Sequence, residues 1–239
     1  MVFVSRLGSQ QTSAVAVIDP ATTSDDEILK LNAAGTRGIR VNLYRYGAME
    51  DVNLQRQVLT SHVGRLQGMS LNWSMTMTTI RTASWEELEP FISRTVAKSG
   101  IPLVTDHFAL LKGASMLPPG SGGDPMQQPG YQAVIRLISA GHLWVKLSAP
   151  YRVSERGPHY EDLKPLVRAF IDANKERVLW GSDWPHTPRM KVRTHEEAMT
   201  ETPFLKVNDE AWLRSLRKWL SDEEWHLVMV ENPRKLFGR

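Results

Sequence analysis

Two short apolar runs, Leu143-Trp144-Val145-Lys146-Leu147-Ser148 and Arg177-Val178-Leu179-Trp180-Gly181-Ser182-Asp183, flank a segment of helical periodicity over residues 160–174. A strand, a helix and a second strand in this order predict a βαβ unit, whose strands pair in parallel through a right-handed crossover. Both runs are largely apolar, which is typical of strands that helices cover on both faces. This stretch therefore predicts an α/β fold.

The same alternation of apolar runs and helical segments extends along the rest of the chain. Six strands are predicted, over residues 13–18, 38–44, 71–78, 101–107, 143–148 and 177–183. Helices are predicted over residues 23–34, within 51–66, and over 84–98, 129–141, 160–174, 209–219 and 221–230, with long irregular loops over 109–128 and 186–208. Six parallel units fit either an open doubly wound sheet or most of a closed TIM-type (β/α) barrel, and periodicity does not choose between them.

The composition is that of a globular protein with one core. A chain of 239 residues is long enough for one sizeable domain, which we expect over residues 1–239. The 29 basic and 26 acidic side chains give a net charge of +3, and no basic block indicates a nucleic-acid partner. The absence of cysteine excludes disulfides and suits a reducing compartment. No stretch approaches the roughly 20 apolar residues of a membrane span, and the start is too short for a signal peptide, so we expect a soluble cytoplasmic protein.

Polar side chains concentrate where the predicted strands end. In parallel α/β folds the carboxyl ends of the strands meet at one edge, where function gathers. In chain order these ends carry Asp19, Arg40, Tyr44, Arg45, Thr76, Thr78, Asp106, His107, Lys146, Ser148, Tyr151, Arg152, Asp183, Trp184 and His186. The concentration at one edge predicts a functional site there more strongly than any single residue does.

Asp183 and His107 are the candidates for catalysis. A carboxylate at the end of a buried strand is well placed to accept a proton from water; the alternative is that Asp183 caps a turn or pairs with an arginine. His107 is interpreted as a metal ligand, a general base or a donor to a developing oxyanion, or alternatively as a buried structural histidine. Because side chains alternate along a strand, Asp106 and His107 are expected to face opposite sides.

Three arginines at strand ends indicate an anionic substrate, because the guanidinium fork matches a carboxylate. The alternative for each is an ordinary surface ion pair. The predicted substrate-binding residues are Arg40, Tyr44, Arg45, Lys146, Ser148, Arg152, Trp184 and His186, the last of which alternatively forms only a turn. We interpret His62, His142, His159, His195 and His226 as structural or solvated.

The residues that a complete metal site needs are scarce. Neither His-x-His nor His-Glu-x-x-His occurs, and there is no cysteine. A site of three or four protein ligands is therefore not predicted. His107 and Asp183 remain the candidates for a single divalent ion such as Zn²⁺, and no cofactor is expected to be required.

Five segments together resemble the amidohydrolase-related (amidohydrolase 2) metal-dependent hydrolases. They are Val17-Ile18-Asp19-Pro20, Gly35-x-Arg37-Gly38-Ile39-Arg40-Val41-Asn42, Val104-Thr105-Asp106-His107, residues 145–152 (Val-Lys-Leu-Ser-Ala-Pro-Tyr-Arg), and Trp180-Gly181-Ser182-Asp183-Trp184-Pro185-His186. Within that family the chain is most similar to the branch that contains 2-pyrone-4,6-dicarboxylate lactonase. The closing Glu231-Asn232-Pro233-x-x-Leu236-Phe237-Gly238 resembles the family's C-terminal signature.

The resemblance implies a TIM-type barrel that hydrolyses an ester, lactone or related carbonyl compound. It points to Asp183 as the acid/base that activates water, to His107 as the group that polarises the carbonyl, and to the arginines as binders of a substrate carboxylate. In the lactonase branch catalysis need not depend on a metal. The family opens with a strand that bears His-x-His; here residues 13–19 match its third strand, so we expect a barrel without the first strand, with Val2-Phe3-Val4-Ser5 as a remnant of the second.

These observations lead to one principal hypothesis and two alternatives. The principal hypothesis is a metal-independent or weakly metal-dependent carbon–oxygen hydrolase of a small anionic lactone or ester. A homo-oligomer would provide a neighbour that closes the barrel wall. The first alternative is a lyase, decarboxylase or cyclase that acts on a carboxylated aromatic or polyketide-like compound. The second is a catalytically inactive binding homologue, which the missing histidine pair motivates.

Overall fold

Six parallel strands form one sheet in a computed structural model, which describes residues 2–8, 11–188, 194 and 199–238. Each strand pairs with the next one along the chain. A doubly wound sheet would instead reverse its strand order at a switch point, so the observed order is that of a TIM-type barrel and confirms the predicted fold class. The strands are β1 Ala14–Ala16, β2 Thr36–Arg40, β3 Ser74–Met77, β4 Leu103–Thr105, β5 Trp144–Ser148 and β6 Val178–Gly181.

Helices connect the strands and follow the last of them. They are α1 Val2–Leu7, α2 Asp25–Ala33, α3 Val52–Gln67, α4 Ser84–Phe91, α5 Tyr131–Ser139, α6 Lys164–Asn174, α7 Asp209–Trp219, α8 Asp222–His226 and α9 Asn232–Phe237. Helix α4 continues through a π turn and a 3₁₀ turn to Gly100, and a π turn joins α8 to α9. The predicted starts hold where the capping chemistry is strong, as in the Ser24–Glu27 capping box of α2 and the Asp51 cap of α3.

Strands β3, β4 and β5 bury both faces, as their apolar composition predicts, whereas the edge strand β1 is partly exposed at Val15. Leu103, Val145 and Val178 face the main core, in which they join residues of α4, α5 and α6. Their sequence neighbours Val104, Trp144 and Leu179 form a second cluster with Leu236 and Phe237 of α9. The C-terminal helix therefore covers the face of the sheet that is turned away from the surrounding helices.

Two local expectations are wrong. Val2-Phe3-Val4-Ser5 lies in helix α1 and is not a strand remnant; a strand is stable only when a neighbour pairs with it, whereas a helix satisfies its own backbone. Helix α5 begins after Pro129, because Gly130 precedes it with a left-handed φ of 84°. Of the predicted loop over 186–208, residues 189–193 and 195–198 lie outside the described residues.

Gly130 is the glycine whose replacement we expect to be most damaging. An added Cβ would lie 1.9 Å from the carbonyl oxygen of Thr82, whereas Gly120 has the same left-handed backbone (φ 83°) and open space around it. Gly120→Ala should therefore cost only the left-handed strain, about 1 kcal/mol. Gly130→Ala adds a backbone clash and should lower the free energy of unfolding by about 3 kcal/mol. Urea titration of both variants checks this difference, and equal losses would contradict the packing described for Gly130.

Candidate active site

A cavity of 690 Å³ opens at the carboxyl ends of the strands. Its polar lining comes from several elements, so distant segments of the sequence meet there. These polar residues are Arg40, Asn42, Tyr44, Thr78, His107, Lys112, Arg152, Asp183 and Thr187. Among these described lining residues, three side chains are basic and one is a carboxylate, a balance that favours an anionic ligand.

Asp183 lies two residues beyond β6, where the backbone turns into the left-handed region (φ 64°). Its Oδ2 atom accepts hydrogen bonds from the Tyr151 hydroxyl at 2.6 Å and from Arg152 Nε at 3.1 Å. Burial first, and then the bond to Asp183, raise the pKa of Tyr151, so its hydroxyl stays a donor. Asp183 Oδ1 lies 3.8 Å from His107 Nε2 and has no hydrogen bond within the described part of the chain. One oxygen is thus held in place while the other remains available as an acceptor.

His107 begins a run of four residues with positive φ, from 54° to 60°, directly after Asp106. This left-handed turn is costly for residues other than glycine and is typical of functional sites. The ring Nδ1 lies 2.9 Å from Ser148 Oγ, and Nε2 faces Asp183. Burial lowers the pKa of His107 below its ordinary value, although Asp106 and Asp183 oppose this. The ring is therefore neutral at pH 7.

Asp106, directly after β4, is a buried anion held between two cations, Lys146 of β5 and Arg40 of β2. Its Oδ1 accepts from Lys146 Nζ at 2.9 Å and its Oδ2 from Arg40 at 3.3 Å. Burial alone would raise the pKa of this carboxyl, but Lys146, His107 and Arg40 outweigh it and hold the pKa below its ordinary value. The expected alternation fails here, since the left-handed turn at His107 places both Asp106 and His107 at the site.

The structure divides the predicted substrate-binding residues into two groups. Arg40, Tyr44 and Arg152 line the cavity. Arg45 pairs with Asp19 at 3.1 Å, Lys146 with Asp106, Ser148 with His107, and His186 with Asp209 at 3.1 Å, while the Trp184 side chain is largely exposed. Those five are not among the lining residues, and their proposed roles stay predictions.

Three polar lining residues, Asn42, Lys112 and Thr187, were not predicted for the site, and neither was the hydrogen bond from Tyr151 to Asp183. Lys112 lines the cavity and donates from Nζ to the backbone carbonyl of Arg152 at 2.9 Å. It lies in the long loop after β4, which parallel topology places at the carboxyl edge of the sheet. No sequence motif marks it, so topology is the one signal that points to a cation there. Tyr151 is a strand-end residue for which the sequence predicts no role, and its hydrogen bond to Asp183 does not follow from spacing.

Four of the five histidines interpreted as structural have local partners away from the cavity. His62 lies 2.7 Å from the Val58 carbonyl, His142 lies 3.2 Å from Ser93 Oγ, His159 lies 3.4 Å from Ser215 Oγ, and His226 lies 3.1 Å from Glu231. The fifth, His195, is outside the described residues.

The described residues do not fit a metal centre. Over residues 2–8, 11–188, 194 and 199–238, no group of three His, Asp or Glu side chains comes together as ligands would. His107 and Asp183 offer two donors, and Arg152 already places a positive charge on the carboxylate. We therefore derive no chemical step through a metal ion.

Comparison with known proteins identifies the relatives of this chain. The amidohydrolase family model Amidohydro_2 matches residues 10–239. The chain is 32% identical over 140 residues to a 4-sulfomuconolactone hydrolase of Hydrogenophaga intermedia, a match that covers 58% of this chain and 40% of that protein. It is 27% identical over 255 residues to a D-galactarolactone isomerase of Agrobacterium fabrum, which covers 98% of this chain and 69% of the isomerase.

The fold also matches a solved structure. A crystal structure from Agrobacterium tumefaciens superposes with a TM-score of 0.69 at 25% identity, covering 99% of this chain and 73% of that one. The match to the sulfomuconolactone hydrolase spans only two fifths of that protein's length.

No helix in the described ranges is long and apolar enough to cross a membrane.

Proposed function

Because the chain belongs to the amidohydrolase family, we propose that it hydrolyses a small anionic lactone, with water activated by Asp183. The observation that carries this proposal is that the two carboxylate oxygens of Asp183 have different surroundings. Oδ2 is held by Tyr151 and Arg152, and Oδ1 faces the cavity region beside His107 Nε2. The lactone-acting relatives support the same class of substrate.

The reaction follows from these positions. A water molecule that donates to Asp183 Oδ1 loses a proton to it while the water oxygen bonds to the lactone carbonyl carbon. The neutral His107 ring donates a hydrogen bond to the carbonyl oxygen, on which negative charge develops. When the ring C–O bond breaks, the leaving oxygen takes the proton from Asp183, so the product is a hydroxy acid and Asp183 is again a carboxylate.

The cations of the lining account for the proposed anionic substrate. Arg40 uses one guanidinium nitrogen for Asp106, and its side chain is 55% exposed, so the other nitrogens are accessible from the cavity. Arg152 and Lys112 line the same cavity and add positive charge to it. A carboxylate or sulfonate on the lactone would be bound by charge-assisted hydrogen bonds of this kind.

Arg40→Met should raise KM for an anionic lactone about tenfold and leave kcat nearly unchanged, because the lost charge-assisted hydrogen bond acts equally on substrate and transition state. Steady-state kinetics with an anionic lactone and its neutral methyl ester measure the effect, and the ester should show no change. Arg45→Met is the matched control, since Arg45 pairs with Asp19 and lies off the cavity lining. An equal change in both variants would argue against Arg40 as the anion binder.

We also propose that hydrolysis needs no metal ion. The shortage of ligands among the described residues supports this, as does the cation already paired with Asp183. Elemental analysis of the active protein, together with turnover after dialysis against a chelator, tests it. A stoichiometric metal whose removal abolishes turnover would overturn this part of the proposal.

Isomerisation is the second candidate, because a D-galactarolactone isomerase is a relative whose match covers 98% of this chain. With Asp183 as the acid/base and His107 as the hydrogen-bond donor, the same site can transfer a proton without net addition of water. Assay of the purified protein on a panel of anionic lactones, with the product mass recorded, separates the two reactions: hydrolysis adds one water and isomerisation adds nothing.

A further inference from the structure

Ser148 contacts His107 through two hydrogen bonds and is only 3% exposed. Its Oγ accepts from the backbone N–H of His107 at 3.2 Å and lies 2.9 Å from the ring Nδ1. Ser148 is not among the residues that line the cavity. Its hydroxyl is therefore placed to act on His107 and not on a substrate.

The direction of the Ser148–Nδ1 hydrogen bond follows from counting protons. A hydroxyl has one proton and two lone pairs, and one lone pair is already used by the His107 backbone N–H. Within the described residues the only acceptor near the Ser148 proton is Nδ1. The opposite direction would leave a buried O–H group without a partner, which costs stability. Ser148 is thus the donor and Nδ1 the acceptor.

This direction fixes the position of the proton on the ring. A neutral imidazole whose Nδ1 accepts a hydrogen bond carries its proton on Nε2. We propose that Ser148 is a positioning residue that holds His107 in the Nε2–H tautomer, directing its N–H towards the substrate carbonyl beside Asp183. The role at the carbonyl rests on the proposed lactone hydrolysis, whereas the tautomer assignment does not.

The consequence is a division of roles between His107 and Asp183. With Nδ1 occupied and Nε2 protonated, neither ring nitrogen is available to take a proton from water. Asp183 Oδ1, 3.8 Å from Nε2, is then the base of the site. Loss of the Ser148 hydroxyl would let the ring populate the other tautomer, in which Nε2 lacks the proton that the carbonyl requires.

NMR of protein labelled with ¹⁵N-histidine tests the assignment. In the wild type we expect His107 to show a protonated Nε2 and an unprotonated Nδ1, and in Ser148→Ala a mixture of tautomers. Loss of one ordinary hydrogen bond changes the tautomer ratio about tenfold. The kcat of Ser148→Ala should therefore fall in proportion to the lost Nε2–H fraction, about twofold for an equal mixture, with KM unchanged. Ser148→Thr, which retains the hydroxyl, should restore both the spectrum and kcat.

Ser93→Ala is the matched control, because Ser93 makes the same kind of contact to Nδ1 of His142. It should alter the His142 signals alone and leave turnover unchanged. A wild-type His107 protonated on Nδ1 would overturn the inference, and so would an unchanged tautomer in Ser148→Ala. If the wild type shows the Nε2–H tautomer but opens no lactone, the tautomer assignment stands and the proposed function fails. The wild-type spectrum decides the assignment even if Ser148→Ala does not fold.

Discussion

Asp183→Asn should lower kcat for lactone hydrolysis about a thousandfold, within the range that a positioned general base contributes. The amide keeps the shape of the side chain but cannot take a proton from water. Its supports at Oδ2, Tyr151 and Arg152, stay in place, so binding should change little and KM should remain close to the wild-type value. Stopped or continuous assay of ring opening, with both proteins at equal folded concentration, measures the loss.

The matched control for this prediction is Asp172→Asn. Asp172 also accepts from an arginine, Arg168, but it lies exposed on α6 away from the cavity. Its replacement should leave kcat unchanged. Retention of substantial activity in Asp183→Asn would remove Asp183 from the role of base, whatever the control shows.

Lys146→Met should lower the free energy of unfolding at pH 7 by about 3–5 kcal/mol, as expected when one partner of a buried ion pair is removed. Lys146 donates to the buried Asp106 at 2.9 Å, and the remaining partner, Arg40, is 3.3 Å away and half-exposed. The variant therefore leaves an anion in the interior with insufficient compensation. Chemical denaturation of the two proteins gives the difference directly.

The decrease in the free energy of unfolding caused by Lys146→Met should become smaller as the pH is lowered. The folded-state pKa of Asp106 lies below its ordinary value, so its stabilising contribution is present above the unfolded pKa of about 3.9. It disappears as the pH falls through the lowered folded pKa, since both states are then protonated. The difference in free energy of unfolding between wild type and Lys146→Met should therefore decrease below about pH 4.

Lys175→Met provides the comparison on the surface. Lys175 pairs with Glu223 while both side chains are exposed, and solvent-exposed pairs of this kind contribute little to stability. Lys175→Met should therefore unfold at nearly the wild-type denaturant concentration. Equal losses in Lys146→Met and Lys175→Met would show that Asp106 does not depend on Lys146.

Much of the fold was predictable because periodicity and capping act locally. The six strands and the helices between them follow from apolar runs and from caps such as Ser24 and Asp51. Periodicity does not record which strand pairs with which, so the barrel order was predicted only through the family resemblance, and the structure confirms it. The helix at Val2–Leu7 was not predicted for a related reason, because an apolar run becomes a strand only when a neighbouring strand pairs with it.

The sequence predicts which residues lie at the carboxyl ends of the strands, but not how their side chains are oriented relative to one another. The edge that carries Asp183, His107 and Arg40 follows from parallel topology, whereas their orientations depend on left-handed backbone at His107 and Asp183 that composition does not reveal. Lys112 was missed because it lies in a long loop with no regular pattern. The pairing of Arg45 with Asp19 illustrates the opposite case, a strand-end arginine that lies off the cavity.

The most direct test of the account is the mass of the product formed from an anionic lactone in H₂¹⁸O. We expect the wild-type protein to add one water per turnover, with a single ¹⁸O atom in the new carboxylate, and Asp183→Asn to lose this incorporation in proportion to kcat. A product of unchanged mass would indicate isomerisation, and a product that has lost carbon dioxide would indicate decarboxylation. Either result would contradict hydrolysis by a water molecule that Asp183 activates.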